Sequence, residues 1–250
     1  RDRFMPKLIG LKNKEIIENQ IRSLDKTDYQ VTLFDCAKVD SSHGISYMAM
    51  SHFLLSLGFL SNWIGMMEFN LMLENRYDKF LATVKEQNAG KDWYDIRKKM
   101  SAVPALKKAI LTFMAEDEYE ETRKLIDERI KTYDATKLKE DLRLYLEHYP
   151  EKKIVFFIDE MSEALSQKKI NLLDLEGLSE ALSSLGNRVW TVGIAQQAFN
   201  DVLNASGLNI HQLNKVEARF KTRIPIAAEE IDTIRSEEHT SELQSRRRIS

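Results

Sequence analysis

Residues 154–160, Ile-Val-Phe-Phe-Ile-Asp-Glu, constrain this chain more than any other stretch. Five consecutive apolar residues, all β-branched or aromatic, have the length and composition of a strand buried on both faces, as in a parallel sheet. The run ends in two adjacent carboxylates, Asp159 and Glu160. Ligands of parallel α/β domains bind outside the carboxyl ends of the strands, so Asp159 is expected to face a site as the chain turns toward a helix. An aspartate so placed can hold the magnesium ion of Mg-ATP, and a following glutamate can orient or deprotonate the attacking water. The alternative is that the acids cap the next helix or face water.

The 250 residues can bury a large core in one or two domains. With 43% hydrophobic and 30% charged residues the composition is neither disordered nor fibrous. A formal charge of -2 argues against strong bulk attraction to nucleic acid. The single cysteine, Cys36, excludes an internal disulfide and reads as a small buried hydrophobe beside a strand. The five histidines are scattered, so a structural zinc site is not expected, and His43 fits surface or helix-cap duty. The opening Arg-Asp-Arg leads into no apolar core, so no secretory signal is expected and the cysteine usage fits a reducing cytosol. Residues 45–73 are rich in Met, Leu, Phe and Trp, but polar residues including Glu68 interrupt them. They read as buried helix or partner groove, not a membrane span.

Residues 8–24 carry apolar side chains at helical spacing, interrupted at Gly10, and residues 30–34 read as a strand ending at Asp35. A helix followed by a strand is half of a parallel α/β unit. The Gly-Lys-Ser/Thr turn of a phosphate-binding loop occurs nowhere in the sequence. Either the domain never bound nucleotide, or the chain starts after the loop; the helix-like first element favours the second. The last residues, 235–250, look like adapter read-through and are set aside, including the Arg246-Arg247-Arg248 cluster.

Between the first strand and Ile154 the pattern is almost wholly helical. Helices are expected over residues 45–59 and 63–84, then from an Asp92 N-cap through Met100, from Pro104 to Met114, over 118–133 and over 136–148. Leu125, Ile126 and Ile130 form one expected buried stripe, and Leu138, Leu142, Leu144, Tyr145 and Leu146 are expected against the sheet. Glu68 is placed on a polar face. A minimal crossover needs about one helix, so an inserted subdomain is expected. After Glu160 comes a helix over 172–185, closed by Gly186, and then a strand over 188–195 with Gln196 and Gln197 at its end. A polar residue there can contact a γ-phosphate or position water, or it can cap the local turn. Arg219 and Arg223, four apart, can neutralise phosphate charge or simply end a basic helix.

An ordered series of segments also carries a family pattern. Phe34-Asp35, Asn75-Arg-Tyr-Asp-Lys-Phe80, Gly90-Lys-Asp-Trp-Tyr94, Val155-Phe-Phe-Ile-Asp-Glu-Met161, Val189-Trp-Thr-Val with Gln196-Gln197, and Glu217-Ala-Arg-Phe-Lys-Thr-Arg223 together resemble the large P-loop ATPase of bacterial BREX phage-defence systems. The likeness runs from about residue 3 to residue 234. It implies an α/β fold with an AAA-like P-loop NTPase parallel sheet core, truncated before the P-loop, with a large helical insertion. The corresponding domains are residues 1–40, the first part of the ATPase core; 41–133, the helical insertion; and 134–234, the rest of the core with a Walker B-like strand.

Carried onto this sequence, the resemblance makes Asp159 the magnesium-binding acid, Glu160 the catalytic base, Gln197 or Gln196 the phosphate sensor, and Arg219, with Arg223 second, the arginine finger. It implies ATP and Mg2+ as cofactors, a bacterial cytoplasmic location, a homo-oligomer, and BREX partners such as a DNA methyltransferase, with DNA reached through the complex and no membrane. This chain alone is then expected to bind ATP weakly or not at all. The competing expectation is a non-catalytic interaction or scaffold module with a degenerate nucleotidase core, in which the helical insertion does the work.

Overall fold

The computed structural model describes residues 15–16, 18–20, 29–38 and 43–194. Three strands form the sheet: β1 (Tyr29–Asp35), β2 (Lys153–Asp159) and β3 (Val189–Gly193). They lie in the order β1-β2-β3 and both pairings are parallel. The register sets Asp35 opposite Asp159 and Ile154 opposite Val189. Parallel neighbours require crossovers, and helices supply both of them.

The first crossover holds α1 (Gly44–Ser56), α2 (Trp63–Leu73), α3 (Tyr77–Gln87), α4 (Trp93–Ile96), α5 (Ala102–Ile110), α6 (Glu116–Lys131) and α7 (Ala135–His148). The second holds α8 (Met161–Ser166) and α9 (Leu172–Ser183). α1 packs on β1, α9 on β3, and α1, α7 and α9 on one another, so these three helices share one face of the sheet. Phe53 of α1 joins the layers, its ring 5.0 Å from Tyr145 of α7, 6.3 Å from Phe156 of β2 and 6.4 Å from Phe69 of α2.

Local chemistry fixes the helix starts. Asn62 accepts a hydrogen bond from Ile64 N at 2.9 Å, and Asp134 accepts one from Lys137 N at 2.9 Å. Asn171 and Asp174 form a reciprocal capping box at α9. α6 carries Glu116, Asp117 and Glu118 in its first turn and Arg129 and Lys131 in its last, matching the helix dipole at both ends. α2 buries Ile64, Gly65, Met66, Met67, Glu68, Phe69 and Leu71, apolar nearly all round because it is packed on nearly all sides. Among the described residues no helix is long and apolar enough to cross a membrane.

Several expectations are corrected. The helix expected over 63–84 is two, α2 and α3, because Asn75 takes a left-handed φ of 58° and Arg76 N donates back to Leu71 O at 2.8 Å. Leu125 and Leu144 are exposed, each lying on the outer side of a helix whose stripe is completed without it. Glu68, assigned to a polar face, is fully buried. The strand expected to be buried on both faces alternates instead: Ile154, Phe156 and Ile158 are buried, while Val155, Phe157 and Asp159 are half-buried. The described helices cover only the first set.

Candidate functional site

The carboxyl ends of β1 and β2 bring three acids to one edge of the sheet: Asp35, Asp159 and Glu160. β1 ends abruptly because Asp35 turns back on its own chain, its Oδ1 accepting from Ala37 N at 2.9 Å. The turn Cys36–Lys38 then brings the Lys38 ammonium to within 2.8 Å of Asp35 Oδ2. That hydrogen bond holds the Asp35 carboxyl below its ordinary value and raises Lys38 above its own. On the adjacent strand Asp159 repeats the motif more tightly, its Oδ1 accepting from Glu160 N at 2.8 Å. Among the described residues no hydrogen bond engages Asp159 Oδ2.

Glu160 occupies the junction between β2 and α8 with φ 55° and ψ 33°. A left-handed conformation costs a residue with a Cβ roughly 1–2 kcal/mol, and residues held this way concentrate at sites where the geometry itself is used. Here it turns the chain from strand into helix within one residue. Ala164 N donates to Glu160 O at 3.0 Å, so α8 begins immediately, and Met161, Ser162, Ala164 and Leu165 anchor it by burial. Glu160 itself stays half-buried at the edge.

Neighbouring groups fix this edge from below and from the side. The Cys36 thiol donates to Asp159 O at 3.0 Å, tying the end of β1 to the end of β2. Burial, with the Asp35 charge second, pushes that thiol up to about 12, which leaves it protonated and a poor nucleophile. Lys169, in the loop between α8 and α9, donates to Ala37 O. On the far side Ile194 N donates to Ile158 O at 2.8 Å, and Met161 N donates to Ile194 O at 3.4 Å. The pairing of β3 with β2 therefore continues one residue past the strand, alongside the acids.

A solvent-open concavity of about 220 Å³ includes Lys38 in its lining, with His43, Tyr47, Ser51, His52 and Ser61. His43 is the N-cap residue of α1, though its side chain makes no capping bond, and its ring lies 5.2 Å from that of Tyr47. Burial holds His52 below its ordinary value, its ring stacked 5.7 Å from Phe34.

Of the residues singled out from sequence, Asp159 and Glu160 stand together at this edge. Gln196, Gln197, Arg219 and Arg223 lie outside the described residues. Two contributors escaped the sequence reading. Asp35 carried a usable signal, because it too is the acid that closes an apolar strand. Lys169 carried none, since its acceptor lies 132 residues away in the chain. Asp159 suits a magnesium ion in charge and in having one oxygen without a hydrogen bond among the described residues, but a single carboxylate cannot complete a coordination sphere. Among the described residues no group of three or more His, Cys, Asp or Glu side chains could hold a metal. No family model matches the chain, and no solved structure matches it.

Proposed function

We propose that this chain carries the magnesium- and water-handling edge of an ATP-hydrolysing P-loop protein of the AAA-like kind, as in bacterial BREX phage-defence systems. The observation that carries the reading is the junction at Asp159 and Glu160. The end of the middle strand of the three described presents a carboxylate with one oxygen without a hydrogen bond among the described residues, followed by a glutamate held in a costly left-handed turn. The adjacent strand, β3, supports it, since Gln196 and Gln197 follow Ile194 by only two and three residues in sequence.

In this reading Asp159 would hold the magnesium of Mg-ATP, and Glu160 would accept a proton from the attacking water. Gln197, or Gln196, senses the γ-phosphate. Arg219, with Arg223 second, neutralises charge developing on the transferred phosphoryl group, within one subunit or across a homo-oligomer. The nucleotide and its ion supply the electrophile; these side chains supply position and proton transfer. A cytoplasmic location and BREX partners such as a DNA methyltransferase belong to the same proposal.

The 250 residues contain no Gly-Lys-Ser/Thr turn, and that favours a second reading, a non-catalytic scaffold built on a degenerate nucleotidase core. ATP turnover by the longer P-loop protein implied by the first reading separates the two. Glu160→Gln is expected to lower kcat by roughly 10²–10⁴-fold, the range for loss of a general base, while leaving nucleotide binding intact. Unchanged turnover would remove Glu160 as the base. Absence of turnover in a folded, assembled wild-type protein supports the scaffold.

A further inference from the structure

Eight of the nine methionines fall within the described residues, and one of them is set apart. Met50, Met66, Met67, Met114 and Met161 are at most 8% exposed, and Met48 and Met72 are half-buried. Met100 is 100% exposed.

The backbone explains the difference. Trp93, Ile96 and Met100 share one helical stripe in sequence, and a helix continued from Asp92 through Met100 would point all three inward. α4 stops at Ile96 instead. Arg97 N donates to Trp93 O at 2.9 Å, Lys99 N to Ile96 O at 2.9 Å and Ala102 N to Lys99 O at 3.0 Å, so the chain winds through a tight turn into α5. The turn is fastened from beneath, because Trp93 Nε1 and Arg97 Nη1 donate to the buried Glu68 at 2.8 and 3.1 Å, and Ile96 and Ala102 are buried on either side. Lys98, Lys99 and Ser101, the neighbours of Met100, are exposed. An anchored loop therefore holds a thioether out in water.

We infer that Met100 is a selective oxidation site, converted by hydrogen peroxide to the sulfoxide while the buried methionines among the described residues stay reduced. The sulfur lone pair attacks one peroxide oxygen, an S–O bond forms and the O–O bond breaks. The proton of the transferred hydroxyl joins the departing hydroxide, which leaves as water; sulfur loses two electrons and the peroxide gains them. Access decides which sulfur reacts, and the product has a different cost at each place. A sulfoxide makes a flexible apolar side chain polar, and at Met50 or Met67 its oxygen would be buried in the core. At Met100 the oxygen stays in water and no packing is lost. Met161, next to Glu160 and buried, is spared, so the Asp159–Glu160 edge keeps its geometry. The inference stands independently of the nucleotide reading.

Peptide mapping by mass spectrometry, after timed exposure of the full native chain to dilute hydrogen peroxide, tests it. The tryptic peptide 100–107 is expected to gain one oxygen at least about tenfold faster than the peptides carrying Met50, Met66, Met67 or Met161. In urea the rates should converge, since every thioether is then in water. Comparable native rates, or the same preference for Met100 after unfolding, would overturn the inference. A second measurement asks whether the change stays within the loop. The urea midpoint of the peroxide-treated chain is expected to match that of the untreated chain, and treated Met100→Leu to match untreated Met100→Leu. A lower midpoint in the treated wild type alone would show that Met100 packs against the fold, and a lower midpoint in both would show that peroxide reaches the core methionines. Either result overturns the inference.

Discussion

Two regions of this molecule are organised around carboxylates, and they treat them in opposite ways. Glu68 in α2 is fully buried and consumed by the architecture. Its Oε1 accepts from Trp93 Nε1 at 2.8 Å, Tyr77 Oη at 2.9 Å and Arg97 Nη1 at 3.1 Å, and its Oε2 accepts from Leu60 N at 3.2 Å. One side chain thus fastens α2, α3, α4 and the loop before α2. Burial, with the Glu68 charge second, pushes the Tyr77 hydroxyl well above its ordinary value. Asp159 and Glu160 are half-buried at a strand end, with Asp159 Oδ1 committed to the Glu160 backbone. The first carboxylate is surrounded by donors and holds a fold together; the other two stand half-buried at a sheet edge beside a left-handed turn.

The contrast breaks most visibly at Glu68. Glu68→Ala strands the Arg97 guanidinium, only 10% exposed, and should cost about 3–5 kcal/mol in urea unfolding, as for a broken buried ion pair. Glu68→Met combined with Arg97→Met should recover only the part due to the stranded charge, because Trp93 Nε1, Tyr77 Oη and Leu60 N still lose their acceptor. A cost below about 1 kcal/mol for the single change would remove Glu68 as the organising group.

Gly65→Ala comes next, at about 1–3 kcal/mol or more. A Cβ at Gly65 would sit 1.7 Å from Leu60 O, and backbone cannot move aside cheaply. Because Leu60 N also donates to Glu68, the two substitutions should be non-additive in a double-mutant cycle.

The edge should respond with the opposite sign. Glu160→Gly relieves the left-handed backbone and should raise unfolding stability by up to about 1 kcal/mol. If the proposed function holds, the same change should abolish ATP turnover in the longer P-loop protein. A loss of stability would mean that the Glu160 side chain is structural.

Cys36 gives a pH test of the same edge. Its folded value lies above the ordinary 9.0, so the unfolded chain releases this proton first as pH rises. The Cys36 contribution to stability is therefore complete below about pH 9 and falls between there and about 12. Ellman's reagent at pH 9 should modify Cys36 only after unfolding; rapid labelling of the native chain would contradict its burial. The smallest effect is at Lys38→Met, which should return the Asp35 carboxyl toward its ordinary 3.8, read by carbon NMR, without a resolvable change in melting temperature.

Much of the chain was legible because local chemistry decides it. Apolar β-branched and aromatic runs marked the three described strands; Asp92 stands at a predicted helix start, but its side chain makes no capping bond and the helix ends at Ile96 rather than Met100. What stayed hidden depends on contacts distant in sequence. Glu68 reads as a surface acid until Trp93 and Arg97, 25 and 29 residues on, fold over it. Leu125 and Leu144 match the helical period yet point outward, because the period gives a stripe its direction but not its width. At the edge, Asp159 and Glu160 are adjacent in sequence and so were visible together. The Cys36 and Lys169 bonds that brace them are made only when separate loops meet.

The distance along the chain between β1 and β2 has a consequence for how this protein is made. Cys36 and Asp159, bonded in the finished sheet, are 123 residues apart. At ribosomal speeds of about 5–20 residues per second, that interval lasts roughly 6–25 s. Throughout it β2, the partner of β1 among the described residues, has not been made, while the largely local contacts of α1 to α7 can already form. Contacts of such long sequence separation slow folding because loop closure must come before the contact rewards it. β1 then waits with its pairing edge toward β2 open, and an unpaired strand edge is a template for pairing between chains, so the length of the helical crossover sets how long that edge is exposed.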